Sequence, residues 1–156
     1  MRAVIQRVQR AEVRIDGRRF SRINKGILVF LGIEQGDQQT DADYLCDKIQ
    51  NLRIFEDTNG KMNLSVLETA GEMLIVSQFT LLGDCRKGRR PSFQFAENPE
   101  SARALYHYFV TKAKEGIKYV AQGEFQAMMA VELINDGPVT LLLDSRRNLL
   151  GNDIAE

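Results

Sequence analysis

Hydrophobic and polar residues alternate along the N-terminal part of the chain, with the period of a β-strand that buries one face. Ala11, Val13 and Ile15 are apolar, and the residues between them are charged. This period of two predicts a half-buried strand within Val4–Ile15, and the Asp16-Gly17 pair that follows predicts a tight turn.

Uninterrupted apolar runs and helical spacings predict the elements in the middle of the chain. Ile27–Leu31 predicts a strand buried on both faces, and Met73–Val76 predicts another that ends at Ser77. Apolar residues at helical spacing, with acids in the first turn, predict a helix near Thr40–Arg53. Asn98, followed by a proline and an acid, is typical of the cap of a second helix.

The C-terminal third returns to strand patterning. Alternating apolar residues predict a strand over Phe125–Leu133, and Val139–Leu143 predicts one more. Together, the predicted strands and helices indicate an α+β fold of mainly antiparallel, barrel-like β-sheet with two helices, in one domain over 1–145. The remaining residues, 146–156, are polar and predict a peripheral tail.

Composition and charge favour a cytoplasmic protein without a membrane segment. Hydrophobic residues make up 44% of the 156 residues, and the apolar runs are far shorter than the ~20 residues of a membrane helix. Two cysteines do not form a disulfide framework. Because 21 basic residues balance 21 acidic ones, any contact with a nucleic acid has to come from local patches.

Several kinds of catalytic site lack the residues that they need. The one histidine, His107, falls on the polar side of the second predicted helix, whereas a Ser-His-Asp hydrolase needs a histidine beside its nucleophile. One histidine and two distant cysteines give no metal-ligand spacing, and no glycine-rich phosphate loop is present. We therefore expect no metal and no cofactor.

Ser77 and Thr80 are the hydroxyl groups best placed for chemistry, because they follow a buried strand. A structural role, in which the hydroxyls cap main-chain groups, explains them without any activity. An unactivated hydroxyl is a weak nucleophile, but main-chain N–H groups at the end of a strand are able to form an oxyanion hole. The residues alone leave both interpretations open.

Gly137-Pro138 joins two apolar runs and is most simply a hairpin turn between two strands. A cis bond occurs in only about 5–6% of X–Pro pairs. Such a bond would nevertheless turn main-chain carbonyls in an unusual direction, which is a way to build a site without side chains.

A basic segment follows Ser77–Thr80 in the sequence and contains Arg86, Lys87, Arg89 and Arg90. Charge runs of this kind are usually solvated surface. With Phe93 close by in the sequence, the segment also suits a phosphate backbone.

Taken together, these motifs closely resemble the D-aminoacyl-tRNA deacylases, over nearly the whole chain from Met1 to about Leu143. Each motif alone is weak, but their joint occurrence in this order is highly specific. The motifs are Ile5-Gln6-Arg7-Val8, Met62-Asn63-Leu64, Ser77-Gln78-Phe79-Thr80-Leu81, Arg90-Pro91-Ser92-Phe93, Gly123-x-Phe125 and Asn135-Asp136-Gly137-Pro138-Val139-Thr140.

The resemblance implies a homodimer that acts on aminoacyl-tRNA, with its active sites at the subunit interface. Gly137 and Pro138 would form a cis pair that reaches into the pocket of the other subunit. Their carbonyls would hold the α-amino group of the substrate and leave no space for an L side chain, so that selectivity is rejection of the L enantiomer.

The resemblance also implies how the ester is hydrolysed. Ser77, Gln78, Phe79 and Thr80 would line the pocket and supply main-chain contacts, while the 2′-OH of the terminal ribose helps to activate the reaction. A pocket that excludes L side chains does not exclude glycine, so we expect hydrolysis of glycyl-tRNA as a second activity.

Three further residues match supporting positions of the family. Arg7 would brace the Gly-Pro segment, and Phe125 and Met129 would lie near the adenine.

Three other interpretations compete with this one. A non-catalytic tRNA-binding module explains the basic segment but leaves the two motifs without a role. A general esterase would use Thr80 as its nucleophile. The editing domain of some threonyl-tRNA synthetases is a neighbour at the level of the fold, but a free-standing chain argues against it.

Overall fold

The computed structural model describes residues 1–146, so the predicted tail lies outside the described residues except for Arg146. In this part of the chain, eight strands, two helices and one 3-10 turn follow each other in sequence. They are β1 Arg2–Ile15, β2 Arg18–Ile23, β3 Gly26–Gly32, α1 Gln39–Asn51, β4 Phe55–Glu56, β5 Met62–Leu64, β6 Glu72–Ser77, the 3-10 turn Phe79–Leu82, α2 Pro99–Gly116, β7 Val120–Gln122 and β8 Ala130–Asp144.

One large sheet has the strand order β2-β1-β3-β6-β7, and β8 pairs with β1 along most of its length. The pairs that involve β1 are antiparallel, as predicted. The pairs β3–β6 and β6–β7 are parallel, which the local pattern does not predict. A short hairpin of β4 and β5 lies apart from this sheet.

The sheet curls until its two ends nearly meet, which confirms the barrel-like prediction. β2 and β7 stand at opposite ends of the strand order, yet the Ser21 hydroxyl on β2 donates a 2.8 Å hydrogen bond to the carbonyl of Gln122 on β7. The right-handed twist of strands favours this curling.

Two hydrophobic cores lie on the two faces of the sheet. The larger core is packed between the sheet and both helices, and Tyr106 and Phe109 of α2 are fully buried in it. The smaller core fills the interior of the barrel and includes Val13, Leu28 and Leu74. On the central strands, neighbouring residues therefore point into different cores, as predicted for an uninterrupted apolar run.

The ribbon of β1 and β8 changes its buried face halfway along. Ile5 and Leu143 belong to the helix-side core, whereas Val13 and Val131 belong to the barrel core. Between paired positions β1 contains one extra residue, Gln9, and β8 contains three within 136–139. An odd number of extra residues moves every following side chain to the other face of a strand.

The helices begin where the sequence predicts. Asn98 caps α2 by accepting a 3.0 Å hydrogen bond from the main-chain N–H of Ser101, with Pro99 at the first helical position. A capping box at Gln38 and Asp41 begins α1.

One predicted strand is wrong at its N-terminal end. The alternation over Phe125–Leu133 becomes a strand only from Ala130, because Gln126 has a φ of +67° and the residues before Ala130 form turns. A positive φ is incompatible with a β-strand.

Candidate active site

The Gly137-Pro138 pair lies on a bulge of β8 and not in a hairpin turn, so the simplest interpretation of the sequence is wrong. Both halves of β8 pair with the same strand, with Gln6 opposite Thr140 and Val8 opposite Asn135. Four residues of β8 therefore face a single residue of β1, Arg7, and they project from the ladder. Gly137 and Pro138 are exposed.

Arg7 anchors the bulge from the interior, although an arginine is rarely as buried as this one, which is 5% exposed. Its Nε lies 3.2 Å from both the carbonyl oxygen and the Oδ2 of Asp136. Its Nη1 donates to the carbonyl of Ile54 at 2.6 Å. The guanidinium thus joins the start of the bulge to the segment after α1.

Asn135 fixes both ends of the same bulge. Its side-chain amide donates to the carbonyl oxygens of Arg7 and Val139, each at 3.0 Å. The sequence motif did not reveal this role, but an asparagine that precedes a turn sequence is a known signal for side-chain bonding to nearby main chain.

Gly137 occupies a position that a larger residue does not fit. Its φ is +114°, a region that L side chains rarely adopt, and its bond to Pro138 is cis. A Cβ at this position would lie 2.7 Å from Nη2 of Arg7. The motif therefore needs a glycine here for its backbone conformation and for the approach of Arg7.

Ser77, Gln78, Phe79 and Thr80 lie at the end of β6 and in the first residues of the 3-10 turn, as predicted. The main-chain N–H of Gln78 donates to the carbonyl of Leu31 at 2.8 Å, which ties the segment to β3. Phe79 and Thr80 are exposed. The Gln78 side-chain amide donates to the Thr80 hydroxyl oxygen.

Phe125 and Met129 lie in the turns that lead from β7 to β8, close to the end of β6. Arg103 of α2 covers the Phe125 ring, with its guanidinium carbon 5.1 Å from the ring centroid. The sulfur of Met129 and a methyl group of Val76 both lie against Gly123. These two predicted residues thus lie near the strand end that carries Ser77.

The basic segment forms an exposed loop, and one of its four cations is already paired. Nε and Nη2 of Arg86 donate to the two carboxylate oxygens of Asp84 at 2.9 and 2.8 Å. The side-chain and main-chain hydrogen bonds from Arg86 lower the pKa of Asp84 to about 2. Within residues 1–146, Lys87, Arg89 and Arg90 have no such partner.

Within one chain, the Gly-Pro bulge and the Ser77–Thr80 segment lie far apart. Arg7, beside the bulge, pairs with Ile27, and Ile27 pairs with Met73 on β6. Ser77 lies four residues further along β6, about 13 Å, and the three strand spacings from β8 to β6 add about 14 Å across the sheet. The two motifs are therefore about 20 Å apart.

Other candidate groups lie away from both motifs. His107 is on the exposed side of α2, as predicted. Cys46 is buried, and burial raises the pKa of its thiol to about 11. Among residues 1–146, no three histidine, cysteine or acidic side chains come together as metal ligands, and no helix is long and apolar enough to cross a membrane.

Comparison with known proteins identifies the class to which this fold and these motifs belong. The family described as D-Tyr-tRNA(Tyr) deacylase matches residues 4–144. A D-aminoacyl-tRNA deacylase of Syntrophus aciditrophicus is 63% identical over 147 residues, which are 94% of this chain and 99% of the relative. One of Clostridioides difficile is 57% identical over 148 residues, 95% of this chain and 99% of the relative.

Solved structures share the fold of this chain. One described as c-Myc DNA Unwinding Element Binding Protein has a TM-score of 0.88 at 41% identity and covers 92% of this chain and 98% of its own. A probable eukaryotic D-amino acid tRNA deacylase has a TM-score of 0.79 at 18% identity with the same coverage, and shares the fold. The chain belongs to the D-Tyr-tRNA(Tyr) deacylase family, and by this family it is an ester hydrolase, as predicted.

Proposed function

We propose that this chain hydrolyses the ester between a D-amino acid and the 3′ adenosine of tRNA, and that it rejects L-aminoacyl-tRNA. The observation that carries the proposal is the Gly137-Pro138 pair, which is exposed on a bulge anchored by the buried Arg7. An anchored main chain is suited to stereochemical selection, because it does not move aside for an L side chain.

In this proposal the carbonyls of Gly137 and Pro138 hold the α-amino group of the substrate. Arg7 braces the bulge through its contacts with Asp136 and Ile54. Phe125 and Met129 lie near the adenine. Rigid placement of this kind supports catalysis, because a misplacement of about 1 Å can lower a rate about 100-fold.

The chemical step is assigned to main-chain groups of Ser77–Thr80 and to the substrate. Main-chain N–H groups at the end of β6 stabilise the oxyanion, and the 2′-OH of the terminal ribose helps to activate the attacking water. A nucleophilic Thr80 is disfavoured, because the contact made by its hydroxyl in residues 1–146 is with the Gln78 amide, which is not a base.

The role of Thr80 is tested by replacing it. If catalysis depends on the main chain, Thr80→Ala retains substantial single-turnover activity on D-Tyr-tRNA. Loss of activity to the uncatalysed rate in a variant that keeps the wild-type Tm would favour the esterase with a Thr80 nucleophile.

We further propose that the active protein is a homodimer in which the bulge of one subunit completes the pocket of the other. The separation of about 20 Å between the two motifs within one chain supports this arrangement. β8 also pairs on one side with β1 and exposes Ile134, Leu141 and Leu142. An edge strand with apolar side chains favours pairing with another surface.

The exposed loop is proposed to contact the tRNA backbone in the cytoplasm, where the substrate is. Lys87, Arg89 and Arg90 are the cations available for phosphate, because Arg86 is held by Asp84.

The proposal is tested by deacylation of D-Tyr-tRNA and L-Tyr-tRNA by purified protein, with and without EDTA. We expect rapid hydrolysis of the D form alone, unaffected by EDTA, and hydrolysis of Gly-tRNA at a comparable enzyme concentration. Turnover of neither tyrosyl-tRNA would refute the proposal.

A nucleic-acid-binding module without catalysis is the second candidate. The description of one similar structure as a DNA unwinding element binding protein favours it. Binding of tRNA without chirality-dependent turnover would be the expected result for such a module.

A further inference from the structure

Four arginines surround a single buried carboxylate on the outer face of β1 and β2. Glu12 is 7% exposed, and Arg22 and Arg19 lie on the neighbouring strand, with Arg22 directly opposite Glu12. With Arg10 and Arg14 they line a cavity of about 120 Å³. This volume has room for about four water molecules.

Glu12 orients two of these arginines without occupying their outer nitrogens. Nε of Arg19 donates to Glu12 Oε2 at 2.8 Å, and Nε of Arg14 lies 2.8 Å from Oε1. Within residues 1–146, the Nη groups of these two arginines donate no hydrogen bond. Two guanidinium groups are thus fixed in place with their forked ends available.

The other two arginines have no carboxylate partner in the described part of the chain. Nη2 of Arg22 donates to the Asn24 side chain at 3.2 Å, and the side chain of Arg10 donates no hydrogen bond to any residue of 1–146. Glu132, which lies 3.0 Å from Arg14, is the one other carboxylate among residues 1–146 that is paired with the cluster. The cluster therefore has a net charge of +2 in a chain whose net charge is zero.

The ionisation of Glu12 fits this arrangement. Burial by itself would raise the pKa of its carboxyl group, but the hydrogen bond from Arg19 and the charges of Arg14, Arg19 and Arg22 outweigh it and lower the pKa. The carboxylate remains charged and continues to hold its arginines.

We propose that this arginine cluster binds phosphates of the tRNA backbone; the choice of ligand rests on the proposed function. Guanidinium groups match the geometry of phosphate oxygens. The cluster begins at Arg10, three residues beyond Arg7 on β1, and extends to Arg14, so it lies about 10–23 Å along the strand from the Gly-Pro bulge. A nucleic acid whose 3′ end lies at the bulge covers this distance with a few nucleotides.

The test is binding of an RNA hairpin that carries no amino acid and has the length of an acceptor stem and a CCA end. Binding is measured by fluorescence anisotropy at several salt concentrations. The double variant Arg10→Ala/Arg22→Ala removes the two arginines that do not hold Glu12. Arg18→Ala is the matched control, because Arg18 is also an exposed arginine on β2 but does not line the cavity.

We expect the double variant to bind the hairpin about 20–60-fold more weakly than wild type at 0.1 M salt. The slope of log K against log salt should fall by about 1.5, because each phosphate contact contributes about 0.7–0.9. Arg18→Ala should change neither quantity.

Two results would overturn the proposal. One is hairpin binding by the double variant equal to that of the control. The other is weaker binding with an unchanged salt slope, which indicates a defect of folding or assembly.

Deacylation of a D-aminoacyl-adenosine, which has no phosphates, separates this inference from the proposed function. We expect the double variant to hydrolyse it at the wild-type rate, whereas the KM for D-Tyr-tRNA rises. If wild type has no activity on either substrate, the proposed function fails, but hairpin binding still decides whether the cluster binds RNA.

Discussion

Replacement of Gly137 by alanine tests whether the bulge requires a residue without a side chain. The new Cβ would lie 2.7 Å from Nη2 of Arg7, at a backbone φ of +114°. Gly60→Ala is the matched control, because Gly60 also has a positive φ, +72°, but no atom within 4 Å of the new Cβ. Both variants carry a conformational penalty, about 1–2 kcal/mol in the left-handed region of Gly60 and more at the φ of Gly137, where L residues rarely occur. Only Gly137→Ala also displaces Arg7.

The contacts that Arg7 makes set a lower bound on the excess destabilisation of Gly137→Ala. Displacing the guanidinium weakens its buried hydrogen bonds to Asp136 and Ile54, and one hydrogen bond to a charged group is worth about 1.5–3 kcal/mol. An excess of about 2 kcal/mol lowers Tm by roughly 4–8 °C in a chain of this length.

Two measurements check this prediction. Calorimetry gives the Tm values of both variants, and single-turnover deacylation of D-Tyr-tRNA should be about 100-fold slower in Gly137→Ala, because the bulge is misplaced. A Gly137→Ala protein with the Tm of Gly60→Ala and wild-type activity would refute the reasoning.

Three further predictions concern single side chains. Arg7→Lys should destabilise the protein by about 1–3 kcal/mol in urea unfolding, because an ammonium group does not reproduce the forked contacts with Asp136 and Ile54; unfolding identical to wild type would contradict this. DTNB at pH 8 should modify only the exposed Cys85 in the folded protein, since the buried Cys46 thiol has a pKa of about 11; Cys85→Ser should then show no reaction, and reaction of one thiol in that variant would show that Cys46 is accessible. Asp84, whose pKa is about 2 when folded against an ordinary 3.8, should stabilise its loop fully above pH 3.8 and progressively less as the pH falls towards 2. NMR titration of its carboxyl carbon checks this, with Arg86→Ala as the control whose pKa should return towards 3.8.

Much of the fold could be predicted from local patterns, because these patterns report burial and capping within a few residues. The strands within Val4–Ile15 and Ile27–Leu31 and the cap at Asn98 are found where the sequence places them. The parallel pairing of β3 with β6 could not be predicted, because it joins segments about forty residues apart, with α1, β4 and β5 between them in the sequence.

The candidate site illustrates a different limit. Asp-Gly-Pro favours a turn and a bulge equally, since both need a positive φ and an interrupted ladder. Only the pairing of both halves of β8 with β1 distinguishes the two. The arginine cluster could not be predicted either. In the sequence, Arg10 and Arg14 fit the solvent-exposed face of a strand, and only the pairing of β1 with β2 brings Arg19 and Arg22 beside them.

The pairing with β1 determines which face each half of β8 presents. Gln6 and Val8 are two residues apart on β1 and share a face, so their partners Thr140 and Asn135 share one as well. Removing one residue from 136–139 would leave four steps between these partners, which ordinary alternation allows, and Leu143 would keep its place in the helix-side core. A change of length in this segment should therefore alter how far Gly137-Pro138 projects from the ladder, and not which core the end of β8 enters.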